Sequence, residues 1–202
     1  MNLNASTPLS ELLRARTEGV EVAIYSIDFK PQEAGVALEI DCSLQNAAET
    51  SLSIFCSGVE EYRIDGTARI ATLELSTDHP LLLRYGPQAT VFCTAPLPDP
   101  QRFFFDFYRL ATAELKGVCD PASYLNGGGD LRSFLDFVYS RAYRLLSAPL
   151  PIVAHVQELL EAQAVQYDIL PDQTVHTPRA ELHVVQAGGL QVVCRASFGC
   201  WN

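Results

Sequence analysis

The chain has 202 residues, of which 48% are hydrophobic and 19% are charged, and its 24 acidic and 14 basic side chains give a formal net charge of −10 at pH 7. This apolar content is too high for an intrinsically disordered protein, and no apolar run approaches the roughly 18 residues that a membrane-spanning helix needs. The net charge argues against nucleic-acid binding, because phosphate contacts require clustered Lys and Arg side chains.

The amino-terminal part of the chain predicts one helix followed by an antiparallel sheet. Residues 1–19 favour a docking helix, with Thr7 as the N-cap, Pro8 in the first turn and Gly19 as the stop. The hydrophobic period then changes to two, which indicates strands with one solvated face. Residues 20–95 therefore predict an antiparallel meander, in which Asp65-Gly66 is a hairpin signal. Its predicted strands are Val20–Phe29, Val36–Leu44, Leu52–Ile64, Ala68–Ser76, Leu81–Tyr85 and Thr90–Thr94.

Residues 99–163 predict a block of three helices. In the first, Asp99 is the N-cap, Pro100 occupies the first position and Gly117 follows the end. Asp130 caps the second, whose apolar spacing extends to Leu145. The third presents an apolar stripe of Ile152, Val153, Val156, Leu159 and Leu160.

Residues 164–202 return to a strand pattern. The predicted strands are Val165–Leu170, Ala180–Gln186 and Leu190–Phe198, the last two joined at Gly188-Gly189. The whole sequence thus predicts an α+β fold, a mostly antiparallel sheet with about three helices packed on one face. We expect a single domain over residues 1–202.

The start of the chain and its cysteines predict the compartment. The first residues lack the basic and continuous apolar regions of a secretory signal, which favours a cytoplasmic protein. The cysteines show neither a CxxC pair nor a Cys/His spacing typical of zinc sites. Buried reduced thiols are then the expected state, and we predict no bound metal and no cofactor. These cysteines are Cys42, Cys56, Cys93, Cys119, Cys194 and Cys200.

The acidic side chains are concentrated in the two flanks of the sequence. Residues 1–98 carry 13 acidic and 6 basic residues, residues 99–147 carry 6 of each, and residues 148–202 carry 5 and 2. Negative charge attracts a basic partner at long range and also promotes solubility. The distribution therefore favours either a basic partner or a purely solubilising role.

The sequence contains no motif that identifies an enzyme. No phosphate-binding glycine loop, GxSxG elbow, SxxK or HExxH pattern occurs. Catalytic groups need only converge in space, so a cofactor-free hydrolase or transferase remains the alternative hypothesis. Its candidate residues are His79, Cys119, Asp120, His155 and Glu158.

Two aromatic and arginine rows form the strongest candidate for a binding surface. Phe105 and Arg109 lie off the apolar stripe of the first long helix, and Phe137, Arg141 and Arg144 recur at i, i+4 and i+7 on the second. Phe contributes apolar area to protein interfaces and Arg contributes bidentate donors. The competing interpretation, which we weight more heavily, packs both Phe side chains in the core with the Arg heads reaching solvent.

The leading functional hypothesis follows from these patterns. We expect a non-enzymatic, acidic cytoplasmic protein that binds another protein, in an adaptor role or a masking role like that of antitoxins and immunity proteins. We expect no nucleic-acid partner and no membrane association. A homo-oligomer that pairs its Phe/Arg helices is a third interpretation.

Overall fold

The chain divides into two compact units in a computed structural model. Unit 1 comprises residues 1–82 and 179–202, and unit 2 comprises residues 83–178. Antiparallel strands and helices packed on sheet confirm the predicted α+β class. The expectation of one domain over the whole chain stays a prediction. The structure describes residues 7–14, 20–32, 35–44, 51–65, 71–126, 130–139, 142–172 and 181–201.

Twelve strands and four α-helices are present among the described residues. In chain order they are β1 (Thr7–Pro8), α1 (Leu9–Arg14), β2 (Val20–Gln32), β3 (Gly35–Leu44), β4 (Ser51–Ser57), β5 (Glu61–Ile64), β6 (Ala71–Ser76), β7 (Gln88–Cys93), α2 (Pro100–Leu115), α3 (Leu131–Val138), β8 (Tyr143–Pro149), α4 (Leu150–Ala162), β9 (Tyr167–Pro171), β10 (His183–Ala187), β11 (Leu190–Cys194) and β12 (Ala196–Trp201). Two 3-10 helices, Pro80–Tyr85 and Pro121–Tyr124, lie in the connections.

Unit 1 is built on a nine-stranded antiparallel sheet in the order β1-β12-β4-β3-β2-β6-β10-β11-β5. Strand β5 continues β4 after a bend at Gly58, and strand β12 continues β11 after Arg195. Strand β4 pairs with β12, and β5 pairs with β11. The strand order therefore returns on itself and encloses an apolar interior. Gly58 has φ +60°, a left-handed conformation that glycine adopts without steric cost.

Alternating side chains fill this interior. In β4, Leu52, Ile54 and Cys56 point inward and are buried, while the residues between them are partly exposed. Helix α1 adds Leu9 and Leu12 to the same apolar cluster, as expected of a docking helix. The helix begins at Leu9, one residue later than predicted, because Thr7 and Pro8 pair with β12 as strand β1. Residues 15–19 lie outside the described part of the chain.

The predicted meander is correct for β2, β3 and β4 and wrong beyond them. The ladder breaks at residues 58–60, so the strand predicted over 52–64 is two strands. The Asp65-Gly66 hairpin is not formed between its flanking strands, because β5 pairs with β11 and β6 pairs with β2 and β10. Gly66 itself lies outside the described residues. A local turn signal was overridden by long-range pairing with the carboxyl-terminal strands.

The strand predicted over Leu81–Tyr85 is a 3-10 helix. Leu81, Leu82 and Leu83 are all buried, and three consecutive inward side chains are incompatible with the two-residue alternation of a strand. Pro80 starts the turn, and the Leu82 amide donates to the carbonyl of His79 at 2.9 Å. The predicted turn at Gly188-Gly189, by contrast, is confirmed as the connection between β10 and β11.

Unit 2 places α2, α3 and α4 around a three-stranded antiparallel sheet in the order β8-β7-β9. The predicted start of α2 is confirmed, since the Asp99 carboxylate accepts from the amide of Arg102 at 3.0 Å and Pro100 begins the helix. The predicted start of α3 is confirmed likewise, since Asp130 accepts from the amide of Ser133 at 2.9 Å. Phe103, Phe107 and Phe134 are fully buried where α2 meets α3.

The second predicted helix ends much earlier than expected. Helix α3 stops at Val138, and β8 then runs along β7, so the helical block of residues 99–163 contains a strand. The register shifts between Val91 and Phe92, and Leu145 is the extra residue on β8. This bulge buries Leu145 and Leu146 together, and two adjacent inward leucines resemble helical spacing in the sequence.

Candidate functional site

His79 of unit 1 takes part in a turn. Its Nδ1 atom accepts a hydrogen bond from the amide of Leu81 at 3.2 Å, at the start of the 3-10 helix. The first amides of a helix have no acceptor within the helix, and the His79 side chain provides one for the amide of Leu81. The imidazole therefore has a structural role at this position.

Cys119 and Asp120 of unit 2 also lie at a helix start. The Asp120 carboxylate accepts from the amide of Ala122 at 3.0 Å, at the beginning of the second 3-10 helix. The Cys119 Sγ atom lies 3.7 Å from the hydroxyl oxygen of Tyr124. An acidic neighbour and a hydroxyl do not activate a thiol, which needs a base or a positive charge.

His155 and Glu158 lie on α4 without forming a site together. The Nε2 atom of His155 is 3.7 Å from a carboxylate oxygen of Glu114 on α2, and Glu158 is exposed. The described hydrogen bonds and ion pairs join none of the four unit 2 candidates to another. Across the described ranges, no group of three or more His, Cys, Asp or Glu side chains is arranged to hold a metal ion.

An exposed aromatic surface lies on α2. We name it the α2 face and define it by Arg102, Phe105, Asp106, Tyr108 and Arg109. The Phe105 side chain is 61% exposed and Tyr108 is 41% exposed. Both guanidinium groups lie close to the Asp106 carboxylate, at 3.6 Å for Arg102 and 3.5 Å for Arg109. Two arginines with largely exposed side chains thus lie on the same helix face as the exposed rings.

The second predicted row is not on one helix. Phe137 is half-buried and contacts Tyr143 of β8 edge to face, with ring centroids 5.6 Å apart. Arg144 lies on β8 and reaches the amide oxygen of Asn126 at 3.3 Å, so its predicted helical spacing from Phe137 is wrong. Arg141 lies outside the described residues.

A cleft in unit 1 was missed by the sequence analysis. It has a volume of about 630 Å³ and lies where β12 bends away from β10 after Arg195. Because β12 pairs with β4 and β1 while β11 pairs with β10, the chain leaves a gap beside the start of β10. Its lining is Pro8, Ser10, Leu75, Thr77, Glu181, Leu182, His183, Arg195, Ala196, Ser197 and Phe198.

A serine and a histidine form a hydrogen-bonded pair in this cleft. The Oγ atom of Ser197 lies 2.8 Å from Nε2 of His183, and the Sγ atom of Cys194 lies 3.4 Å from the same nitrogen. Ser197 is only 7% exposed although it is polar. The pair depends on the bend at Arg195, so the 14-residue separation of its members carries no recognisable motif.

Burial sets the protonation of this group. Desolvation lowers the pKa of His183 below its ordinary value, so the imidazole is neutral at pH 7. The pKa of Cys194 is raised by a hydrogen bond with the Cys56 thiol and by burial, so the thiol keeps its proton. Beside the cleft, Arg195 lies 2.9 Å from the Glu60 carboxylate. A neutral imidazole next to a hydroxyl can accept the proton of that hydroxyl.

Comparisons with known proteins identify no relative. No family model matches the chain, and neither a curated protein nor a solved structure matches it. In the described part of the chain, none of the helices has the length and apolar character to cross a membrane.

Proposed function

We propose that the protein binds another protein through the α2 face. The observation that carries the proposal is the pair of exposed rings, Phe105 and Tyr108, flanked by Arg102 and Arg109. Aromatic and arginine side chains are the types enriched at the energetic centres of protein interfaces. When a partner covers an exposed Phe side chain, apolar surface is removed from water, and this stabilises the complex.

The rings are held in place by the core beneath them. Phe104, which is buried, contacts Phe105 edge to face at 5.9 Å and stacks on Tyr108 at 6.3 Å. Fixed rings lose little conformational entropy on binding, which favours affinity. Phe29 and Tyr62 form another exposed aromatic pair, in unit 1, with ring centroids 4.9 Å apart. The α2 face differs from that pair in the buried ring of Phe104, which contacts both of its exposed rings.

The net charge of the whole chain, though not that of the α2 face with its two arginines and one aspartate, favours a basic partner. Unit 1 carries 14 acidic and 7 basic residues, and unit 2 carries 10 and 7. Such a field accelerates encounter with a positively charged protein and weakens as salt is added. An adaptor or a masking, antitoxin-like role is the function that fits a cytoplasmic protein of this kind, and the identity of the partner decides between them.

The test is capture from a lysate of the native host with matched variants. The bait is the wild-type chain, the double variant Phe105→Ala/Tyr108→Ala, or the control Tyr25→Ala, which removes a 62% exposed ring from unit 1. A specific partner should be retained by the wild type and the control and lost from the double variant. Binding measured with that purified partner should weaken by at least about 30-fold, as expected of a lost hot spot.

Two results would contradict the proposal. Equal retention of every partner by all three baits would show that the α2 face is not the binding surface. Affinity that is unchanged between about 50 and 300 mM salt would remove the electrostatic part of the proposal, because exposed charges are screened within that range.

A further inference from the structure

We infer that Ser197 is a nucleophile activated by His183, and that the cleft in unit 1 binds small uncharged carboxylic esters and transfers their acyl group to water. This activity is independent of protein binding through the α2 face. Its catalytic residues differ from the candidates of the sequence-based enzyme hypothesis, because the described contacts do not bring those candidates together.

The first argument is geometric. A serine hydroxyl is a weak nucleophile unless a base within about 2.6–3.2 Å accepts its proton. Ser197 Oγ lies 2.8 Å from His183 Nε2, inside that range. Both side chains line the same cleft, so the hydroxyl is close to the base and borders a space that a ligand can enter.

The second argument is that the pair is fixed by the sheet. His183 is paired across the ladder with Cys194, whose thiol also approaches Nε2, and Ser197 is paired with Cys56 of β4. The two reacting side chains thus lie on β10 and β12, which do not pair with each other. Each strand is fixed by its own hydrogen-bonded partners, β6 and β11 for β10 and β4 and β1 for β12. Catalytic groups placed on rigid strands keep the sub-ångström positions that proton transfer requires.

The third argument concerns the ligand. The cleft volume of about 630 Å³ is within the range of small-molecule sites, about 300–1,000 Å³. Leu75, Leu182 and Phe198 provide an apolar wall that suits an aliphatic acyl group. Glu181 and Arg195 bring one charge of each sign to the lining, and Arg195 is paired with Glu60. This balance favours an uncharged ester.

The reaction balances with water as the co-reactant. Ser197 Oγ forms a bond to the carbonyl carbon while its proton passes to His183 Nε2. The bond from that carbon to the alkoxy oxygen then breaks, and the departing alcohol takes the proton from Nε2. Water attacks the acyl group on Ser197, gives one proton to Nε2, and the serine regains it as the carboxylic acid leaves. No electron is exchanged with a redox partner.

The experiment uses a fluorophosphonate probe, which phosphonylates activated serines with loss of fluoride, and p-nitrophenyl butyrate as the ester. Variants of the full chain are Ser197→Ala and His183→Gln. Ser147→Ala is the matched control, because its hydroxyl is bonded to Thr90 at 2.8 Å and not to an imidazole. Peptide mass mapping locates the modified residue, and near-UV circular dichroism verifies that each variant is folded.

We expect labelling of the wild type at Ser197, no labelling after Ser197→Ala, and a labelling rate at least about 100-fold lower after His183→Gln, the contribution typical of a general base. Ester hydrolysis should fall in the same two variants and stay unchanged in Ser147→Ala. Urea-unfolded wild type should not react.

Three results would overturn the inference, and the first needs only the wild-type protein. If the folded chain carries no probe at Ser197, the serine is not a nucleophile and the hydrogen bond is only structural. Labelling of folded His183→Gln at the wild-type rate would show that the imidazole does not activate it. Labelling at Ser197 without ester turnover would overturn the assignment of carboxylic esters as the substrate.

Discussion

Burial of His183 makes the stability of unit 1 depend on pH. Its pKa in the folded protein lies below the ordinary 6.5, because desolvation penalises the charged imidazole. The unfolded chain therefore binds the proton more readily, and the contribution is fully present above about pH 6.5 and is lost as the pH falls. The groups around the ring are Ser197 and Cys194, and Glu181 and Arg195 line the same cleft.

Urea unfolding between pH 5 and 7.5 tests this prediction. The free energy of unfolding of the wild type should decrease towards pH 5 more steeply than that of His183→Gln, whose side chain does not titrate. Carboxylates that titrate at the low end are common to both proteins and cancel in the difference. Parallel curves for the two proteins would show that the imidazole has the same pKa in the folded and unfolded states.

Single residues also mark where sequence reasoning failed for the site. The pattern around Phe105 correctly indicated a side chain off the apolar stripe, because helical periodicity is local. The more heavily weighted interpretation, that Phe105 packs in the core, is wrong, since its side chain is 61% exposed. Ser197 and His183 gave no signal, since their contact arises from a change of strand partner at Arg195. A bend that redirects pairing is set by tertiary contacts and not by the spacing of the residues themselves.

At the level of elements, the N-cap of α2 contributes measurably to the stability of unit 2. Asp99 accepts from the amide of Arg102, and its own backbone contacts the side chain of Gln163. Replacement by Ala removes the acceptor from the helix start, and we expect a loss of about 1 kcal/mol of stability. Asp136→Ala on the exposed side of α3 is the control, and its effect should be within about 0.5 kcal/mol.

Chemical denaturation followed by far-UV circular dichroism measures both variants. Equal losses for Asp99→Ala and Asp136→Ala would mean that general loss of an acidic residue, and not the cap, accounts for the change.

The accuracy of the sequence prediction differs between kinds of element. The starts of α2 and α3 were predicted correctly, because Asp99 and Asp130 cap through residues three positions away. The end of α3 was not, because the Leu145 bulge mimics helical spacing. The residues of β5 were predicted as the end of one strand over 52–64. The partner of β5, strand β11, lies more than 100 residues away in the chain, and no local pattern encodes that pairing.

At the scale of the whole molecule, unit 1 depends on both ends of the described chain. Strands β10, β11 and β12 pair with β6, β5 and β4. Removal of residues 183–202 therefore leaves β5 without its described partner, and leaves β6 and β4 each with an unpaired edge. We expect this truncation to abolish the amide protection of unit 1. Unit 2 has its own buried cluster, which includes Phe103 and Phe107, and its amides should stay protected.

Hydrogen exchange followed by mass spectrometry on the truncated and full-length chains makes the comparison peptide by peptide. Loss of protection in both units at once would show that they unfold cooperatively, and would then favour the predicted single domain over the whole chain.

The insertion of unit 2 between the two parts of unit 1 also affects synthesis on the ribosome. Residues 1–82 leave the exit tunnel long before residues 179–202 exist. At about 5–20 residues per second, the delay is roughly 5–20 s. During that time β4, β5 and β6 have edges that await later strands, and such edges pair readily with other chains. We therefore expect the nascent chain to need protection by a chaperone in this interval.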